Sequence, residues 1–489
     1  MSLRIVFVLS PYQNAFFTEI ADALTEALVA AEIDTLTTTE PGDHEVADDD
    51  VFVLLPPHEY VALEGAGFVE DETVAARTIG ISAEQPQESF FAHNAAIGAR
   101  LGFLLDFSPL AVTAYRRQGV DARQLRFGYV PSWDRVRDRG GRRRIDTPVL
   151  YLGSKAERRM QMLASATTEL AHHGARLVIS DNSEPNRTSD AAFYVGERKR
   201  DLLEGTGLLV NIHQSDEQYW EWLRFIEATH CGTPMLTERS MASEPFVDGE
   251  DFASFEGADF ARRLDELMDD SDQRKLLAES AYRRLLEHPL SESIVTLIDA
   301  ATSLRANVAP KRLPARTRAE PIGRERTDIR THATWVAPTG PWSKLRRRIA
   351  GKWVVVAPTG TLLRASVDEL IGAGDRPFIN VMANGHAADG SPMLEGIWMW
   401  QPWRLLHAQH LGRVMIVETD VERAARSWLP DADFDDHPHL RIQLFAAVHG
   451  LTGGHVASPM ASLSVPVDID QRVPERLSAR CRQLLEATS

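Results

Sequence analysis

The residues with the most chemical potential lie in one stretch, His213 to Pro234. It carries an imidazole (His213), a phenol (Tyr219), a guanidinium (Arg224) and a carboxylate (Glu227), and ends in Cys231-Gly-Thr-Pro234. Arg224 and Glu227 are spaced i, i+3, so on a helix they share a face. On an arbitrary helix that spacing reads as a surface ion pair. Here it stands between a strand end and a Gly-Thr-Pro turn, and open α/β sheets take ligands outside the carboxyl ends of their strands.

The elements around this stretch are legible. An apolar run over Leu208–Ile212 predicts a strand, Ser215 and Gln218 form a capping-box pattern for the next helix, and Gly232 with Pro234 stops it before a short strand at Met235–Thr237. Upstream, strands are expected at Arg4–Leu9, Val51–Leu55, Thr78–Ser82, Phe103–Asp106 and Leu125–Val130. Helices are expected from Ser10-Pro11 to about Ala31, near 88–101 and over 109–119. A second α/β run opens with a strand at Pro148–Leu152. There Ser154-Lys-Ala-Glu157 reads as a capping box, the helix runs to about His173, Gly174 closes it, and Arg176–Ser180 is the next strand. Strands alternating with helices imply parallel sheets covered on both faces.

Two stretches interrupt the pattern. Arg135–Arg144 is basic and glycine-containing, and 305–330 is rich in Arg and Pro; both read as solvated linkers. The expected organisation is therefore an α/β lobe over 1–134, a second over 146–304, a linker over 305–330 and a third unit over 331–489.

Composition narrows the function classes. A chain of 489 residues with 44% hydrophobic and 25% charged residues is that of a multidomain globular protein. Its net charge of −17 argues against nucleic-acid binding, which needs basic surfaces. The apolar run at the N-terminus is shorter than a signal-peptide core, and no run reaches the roughly 18 residues of a membrane span. Cys231 and Cys481 give neither a disulfide framework nor a zinc spacing. A reduced, cytoplasmic protein is expected.

The Glu227-Ala-x-x-x-Gly-Thr-Pro234 pattern, with Arg224 before it, resembles the donor-binding region of GT-B glycosyltransferases, and most closely the spore-coat-maturation-like branch. The resemblance covers about 1–305. It implies two Rossmann-like lobes and transfer of a sugar, a hexose by expectation, from a nucleoside-diphosphate sugar without metal or other cofactor. Glu227 would hold the ribose hydroxyls, since a carboxylate accepts two charge-assisted hydrogen bonds from a vicinal diol. Tyr151-Leu-Gly-Ser-Lys-Ala-Glu-Arg-Arg159 resembles the family's Gly-Ser loop. Backbone amides around Gly153, Ser154 and Lys155, with Lys155 or Arg158, would seat the diphosphate. His213 is a candidate for polarising the sugar or phosphate, with Arg224 beside it, and His58 and His93 are lesser candidates. Glu84-Gln85 and Asp106-Phe-Ser-Pro109 would face the cleft from the acceptor side. Many retaining members carry a second glutamate eight residues before the ribose glutamate; here that position is Tyr219, assigned to the donor site, and the stereochemistry stays open.

The third unit weakly resembles a GT-A domain. Where that fold carries Asp-x-Asp for a metal, this chain has Ala357-Pro-Thr-Gly-Thr361, so a degenerate, non-catalytic domain is expected. Asp435, Asp436, His437 and His439 read as a polar loop opening a helix, and Trp398, Trp400 and Trp403 as core. A catalytically silent scaffold or coat-associated binding protein of the same fold is the alternative function. A dinucleotide oxidoreductase is disfavoured because neither lobe opens with Gly-x-Gly-x-x-Gly. The acceptor and the oligomeric state are not legible.

Overall fold

The computed structural model describes residues 3–86, 89–137, 143–180, 193–315, 353–357, 361–363, 376–386, 392–395, 410, 412–430, 434, 437–449, 451, 454–463 and 473–486. The chain is α/β, with two Rossmann-like lobes built on parallel sheets, followed by a mixed sheet. Its contacts divide it into two compact units. One comprises 1–146, 182–256 and 267–321; the other comprises 147–181, 257–266 and 322–489.

In the first unit, strands β1 (Arg4–Val8), β2 (Asp34–Thr38), β3 (Asp50–Leu54), β4 (Thr78–Ser82), β5 (Phe103–Asp106) and β6 (Ala122–Gln124) form a sheet in the order β2-β1-β3-β4-β5-β6, every pairing parallel. The central strands are buried on both faces, which is why they read as unbroken apolar runs. The polar, largely exposed β2 carries no such signal. Helices α1 (Ala15–Ala30), α2 (Pro57–Glu64), α3 (Gly67–Glu70), α4 (Glu72–Ala75), α5 (Ser89–Gly98) and α6 (Pro109–Arg117) connect these strands. Ser108 caps α6 by accepting from the Leu110 N–H, with Pro109 at the first turn. Ser10 does not cap α1. Its hydroxyl lies 2.5 Å from Glu64 Oε1 and accepts from the Tyr12 N–H, so the helix starts five residues later, at Ala15.

Numbering on, β7 (Thr147–Ser154), α7 (Glu157–Ser165), α8 (Thr167–His172) and β8 (Arg176–Ser180) belong to the second unit. Helix α9 (Gly196–Glu204), β9 (Thr206–Asn211), α10 (Trp222–His230), β10 (Met235–Glu238) and β11 (Ala253–Phe255) belong to the first. β7 pairs parallel with β8, and β9–β10–β11 are likewise parallel. The expected helix up to His173 is two helices, broken at Ala166, and Gly174 closes the second at φ +62°. The later helices are α11 (Phe260–Asp269), α12 (Ser271–Leu286), α13 (Leu290–Ser293) and α14 (Val295–Leu304).

Both expected linkers turn out to be partly structural. Arg143 does not face solvent: its guanidinium donates to the carbonyls of Leu203 (3.1 Å), Glu204 (2.8 Å), Thr206 and Gly232 (2.5 Å), collecting the orphan acceptors where α9 and α10 end. Residues 305–315 pack on the first lobe. Arg77 donates to the carbonyls of Arg305 and Asn307, and Leu313 joins Val6, Val8 and Phe52 in the core. Long Arg side chains reach carbonyls that a composition count cannot see.

In the second unit, β12 (Trp353–Val356), β13 (Leu362–Leu363), β14 (Phe378–His386), β15 (Pro392–Glu395), β16 (Met415–Glu418) and β17 (Gly454–Ser462) form a mixed sheet, β12-β16-β14-β17-β13 with β15 on β14. Helix Thr419–Trp428 packs Trp428 against a core to which helices Pro438–Val448 and Glu475–Glu486 contribute Leu440, Leu444, Leu477 and Cys481. His437 stands before the second of these helices, as expected, but His439 is buried in its first turn. Asp435, Asp436, Trp398, Trp400 and Trp403 lie outside the described residues.

One close approach ties α13 to the chain that follows β6. The Tyr129 N–H donates to the His288 carbonyl, and the Leu290 N–H donates back to Tyr129, so the chain at Gly128 runs directly against the start of α13. A Cβ at Gly128 would collide with the His288 carbonyl and stand 3.0 Å from the Leu290 nitrogen. Gly128→Ala should therefore destabilise the fold by about 1–3 kcal/mol through overpacking against backbone that cannot yield, read as a lowered urea midpoint; an unchanged midpoint would show that α13 docks loosely.

Candidate functional site

The segment between β9 and α10 does not fold as a long helix. Tyr219 pairs with Met241 in a parallel bridge, and the Met241 N–H donates to the Gln218 carbonyl at 2.7 Å. Those bonds keep the chain extended, so α10 begins at Trp222, and the expected Ser215 cap does not form. Ser215 Oγ is buried without a hydrogen-bond partner. Trp220 packs 4.6 Å from Phe252, and Phe225 lies 4.6 Å from Phe246, which anchors the extended piece and the helix on one aromatic cluster. The helix stops as expected: Gly232 takes φ +62° and the Thr233 N–H returns to the Ala228 carbonyl.

The four candidates on this segment have distinct settings. His213 is buried; its backbone N–H donates to Glu238 Oε2 at 3.1 Å, and its Nε2 lies 2.9 Å from Ser240 Oγ. Arg224 does not pair with Glu227 despite their spacing. It binds Glu221 at 2.8 Å and donates to Asn211, whose amide in turn holds Thr237. Glu227 is buried and meets Lys199 Nζ at 2.5 Å. Lys199 also binds Glu19 of α1 at 3.1 Å, and the two carboxylates outweigh its burial and hold it more firmly protonated than an ordinary lysine. Tyr219 is buried with its hydroxyl toward Ser108 and close to Asp106; burial, then the Asp106 charge, keeps the phenol neutral far into alkali.

Tyr219 thereby joins a polar cluster at the carboxyl ends of β4 and β5 in the first lobe. Asp106 Oδ1 accepts from the Ser108 N–H at 2.8 Å, while Oδ2 is buried without a hydrogen-bond partner. Burial pushes this carboxyl well above the usual carboxylate range. Ser82 Oγ lies 3.0 Å from the Tyr115 hydroxyl and accepts from Asn94 at 3.1 Å, and Asn94 holds His58. Burial draws His58 down to about 4, and its Nε2 stands 3.7 Å from Glu84. Glu84 and Asp106 are thus brought together with Tyr219, at the sheet edge where ligands of open α/β folds collect.

The Gly-Ser loop lies in the second unit. Ser154 is the last residue of β7 and caps nothing, because its hydroxyl accepts from Arg159 Nη1 at 2.6 Å; α7 starts at Glu157 after Ala156. The Lys155 N–H donates to the Ser180 carbonyl and continues the strand pairing, so it is not one of the amides open to a phosphate. Gly153 lies in β7, where a Cβ would stand 2.6 Å from the Tyr151 hydroxyl. Arg158 lies on the first turn of α7, the end at which a helix dipole favours an anion. Among the described residues, no group of three or more His, Cys, Asp or Glu converges as a metal site.

Lys199, Arg200 and Glu19 were invisible as site residues. Their charges are ordinary helix-surface types, and only the approach of α1 to α9 and α10 makes them partners.

Residues 158–299 match the family model described as glycosyl transferase-like. No curated protein matches the sequence. Among solved structures, Anabaena HepE in complex with UDP-glucose is similar at 12% identity and TM-score 0.42, covering 62% of this chain and 100% of that one. Sucrose-phosphate synthase from Thermosynechococcus elongatus is similar at 14% identity and TM-score 0.41, covering 63% and 100%. AviGT4, a glycosyltransferase involved in avilamycin A biosynthesis, is similar at 16% identity and TM-score 0.39, covering 62% and 98%. No helix among the described residues is long and apolar enough to cross a membrane.

His230, at the end of α10, supplies a pH test of this segment. Its Nε2 accepts from the Val130 N–H at 2.8 Å and its Nδ1 donates to the Ile226 carbonyl at 2.7 Å, so the neutral ring satisfies both bonds. Burial lowers it to about 4. The unfolded chain, with a histidine near 6.5, takes up the proton first as pH falls. Stability should therefore drop between about pH 6.5 and 4, by roughly 3 kcal/mol for this one group. Urea titrations across that range should show the slope reduced by about one proton in His230→Gln; an undiminished slope would mean another group carries it.

Proposed function

We propose that this chain is a glycosyltransferase that moves a sugar, a hexose by expectation, from a nucleoside-diphosphate sugar to an acceptor hydroxyl. The observation that carries the proposal is the match of 158–299 to a glycosyl transferase-like family, a span that holds α10 and its buried carboxylate Glu227. In this reading Glu227 accepts hydrogen bonds from the ribose hydroxyls, which stabilises most where water is excluded. Taken by itself, the second unit offers an anion seat at Arg158 and the Lys155 side chain, of the kind that stabilises a leaving diphosphate. His213, fixed by Glu238 and Ser240, and Arg224, fixed by Glu221 and Asn211, orient the donor's polar groups. In the transfer the acceptor oxygen bonds to the anomeric carbon and gives up its hydroxyl proton, the bond from that carbon to the diphosphate oxygen breaks, and the diphosphate leaves with the electron pair and takes up that proton or releases it to solvent.

The polar cluster of Ser82, Glu84, Asp106, Ser108 and Tyr219 supports an acceptor side in the first lobe, since hydroxyls and carboxyls at a strand-end site suit a hydroxylated substrate. Residues 331–489 are proposed as a degenerate GT-A-like domain that binds the acceptor or serves assembly. The spore-coat-maturation-like branch and a cytoplasmic location belong to the same proposal.

Saturating nucleoside diphosphate should stabilise the native protein by about 2.7 kcal/mol at a hundredfold excess over Kd, and so raise Tm. In Glu227→Ala and in Glu227→Gln that rise should vanish while the variants still melt cooperatively. Persistent binding in both would remove Glu227 from the nucleotide site, and no response in the unaltered protein would favour a silent binding module.

A further inference from the structure

A buried ion cluster joins three helices of the first unit. Glu19 projects from α1, Lys199 and Arg200 from α9, and Glu227 from α10. The Glu19 carboxylate accepts from the Gly196 N–H at 2.6 Å, from Lys199 Nζ at 3.1 Å and from Arg200 Nη1 at 3.2 Å. Lys199 Nζ also lies 2.5 Å from Glu227 Oε1. The Lys199, Glu19 and Glu227 side chains are 9%, 11% and 9% exposed, so one ammonium out of water serves two carboxylates, one from each lobe.

We propose that Glu19, Lys199 and Glu227 form a ligand-responsive latch, in which Lys199 positions Glu227 and passes to Glu19 when a ligand takes Glu227. The proposal rests on the reading of Glu227 as the donor's anchor. An ammonium has three protons to place, and buried charges are tolerated only while each has a partner. Two hydroxyls donating to Glu227 would share its charge and loosen its hold on Lys199. Lys199 cannot then stay midway between the helices without leaving a charge under-paired, so the three groups rearrange together. Arg200 moves with them: it binds Glu19 as well as Glu197, whose other oxygen meets Arg135. Lys199 is thus a positioning residue, and Glu19 is an internal competitor for its ammonium.

The test compares the unaltered chain with Glu19→Gln and Glu19→Asp, each first checked for a cooperative melt. Hydrogen exchange of the ligand-free proteins reads the latch itself. Amides over 193–204, Gly196 included, should exchange roughly tenfold faster in Glu19→Gln and close to the unaltered rate in Glu19→Asp. Unchanged exchange in Glu19→Gln would overturn the latch whatever binds. UDP, GDP, ADP and dTDP, measured by calorimetry, read the gate. Affinity for the nucleotide that binds should fall about fivefold in Glu19→Gln, because Lys199 then has no second carboxylate to take it up when the ligand draws on Glu227. Equal or stronger affinity would overturn the gating. Failure of all four to bind any of the proteins would overturn the nucleotide reading of Glu227 and with it the gate, while the exchange result would still decide the latch.

Discussion

Lys199 carries a full charge where water does not reach, and much of the first unit is arranged to make that tolerable. A buried ion pair gains little over an apolar contact, but a buried charge that loses its partner is costly. The ammonium therefore constrains its surroundings strongly: α9 must present it, α10 must bring Glu227 within 2.5 Å, and α1 must bring Glu19 within 3.1 Å. Arg143 extends the same logic by collecting carbonyls at the ends of α9 and α10, so the helices that carry the charged groups are also fixed at their termini. Polar groups, rather than the apolar core alone, set the register between these helices.

The parts of the fold governed by local apolar patterning were legible in advance. Thr78–Ser82, Phe103–Asp106 and Arg176–Ser180 are strands over the expected residues, because strands buried on both faces leave a run of branched and apolar side chains. The polar edge strand Asp34–Thr38 leaves none. Three serines were misread for related reasons. Ser10, Ser154 and Ser215 each stand at a plausible cap position, yet Ser10 binds Glu64, Ser154 binds Arg159, and the bridge from Tyr219 to Met241 delays the helix beyond Ser215. A cap is a local bond, and a nearby carboxylate, guanidinium or strand edge outcompetes it at no cost the sequence reveals.

The candidate site divides along the same line. The place of Glu227 on a helix ahead of its Gly-Thr-Pro turn was legible, but its partner was not, since the i, i+3 neighbour Arg224 turns to Glu221 and Asn211 instead. The described parts of the two basic stretches depart from expectation for the converse reason. Arg-rich stretches were read as solvated, whereas Arg143 is sequestered on backbone carbonyls and residues 305–315 pack beneath Arg77. Charge composition reports solvation only when side chains lack buried acceptors within reach, and the ends of helices supply many.

Tyr219 shows how much one residue type decides in a buried polar cluster. A carboxylate at that position would lie beside Asp106 and Glu84, and three acids sharing a buried cluster would force protons onto at least one of them. A neutral phenol avoids that repulsion, reaches Ser108 at the cap of α6, and leaves Asp106 as the buried acid of the cluster. The same residue bridges to Met241 and so holds the extended chain that delays α10. Tyr219 therefore links the two lobes without charge, where Lys199 links them through it. The first contact is insensitive to a ligand's hydroxyls and the second is not, so any rearrangement on binding would pivot on Tyr219 and be driven from Glu227.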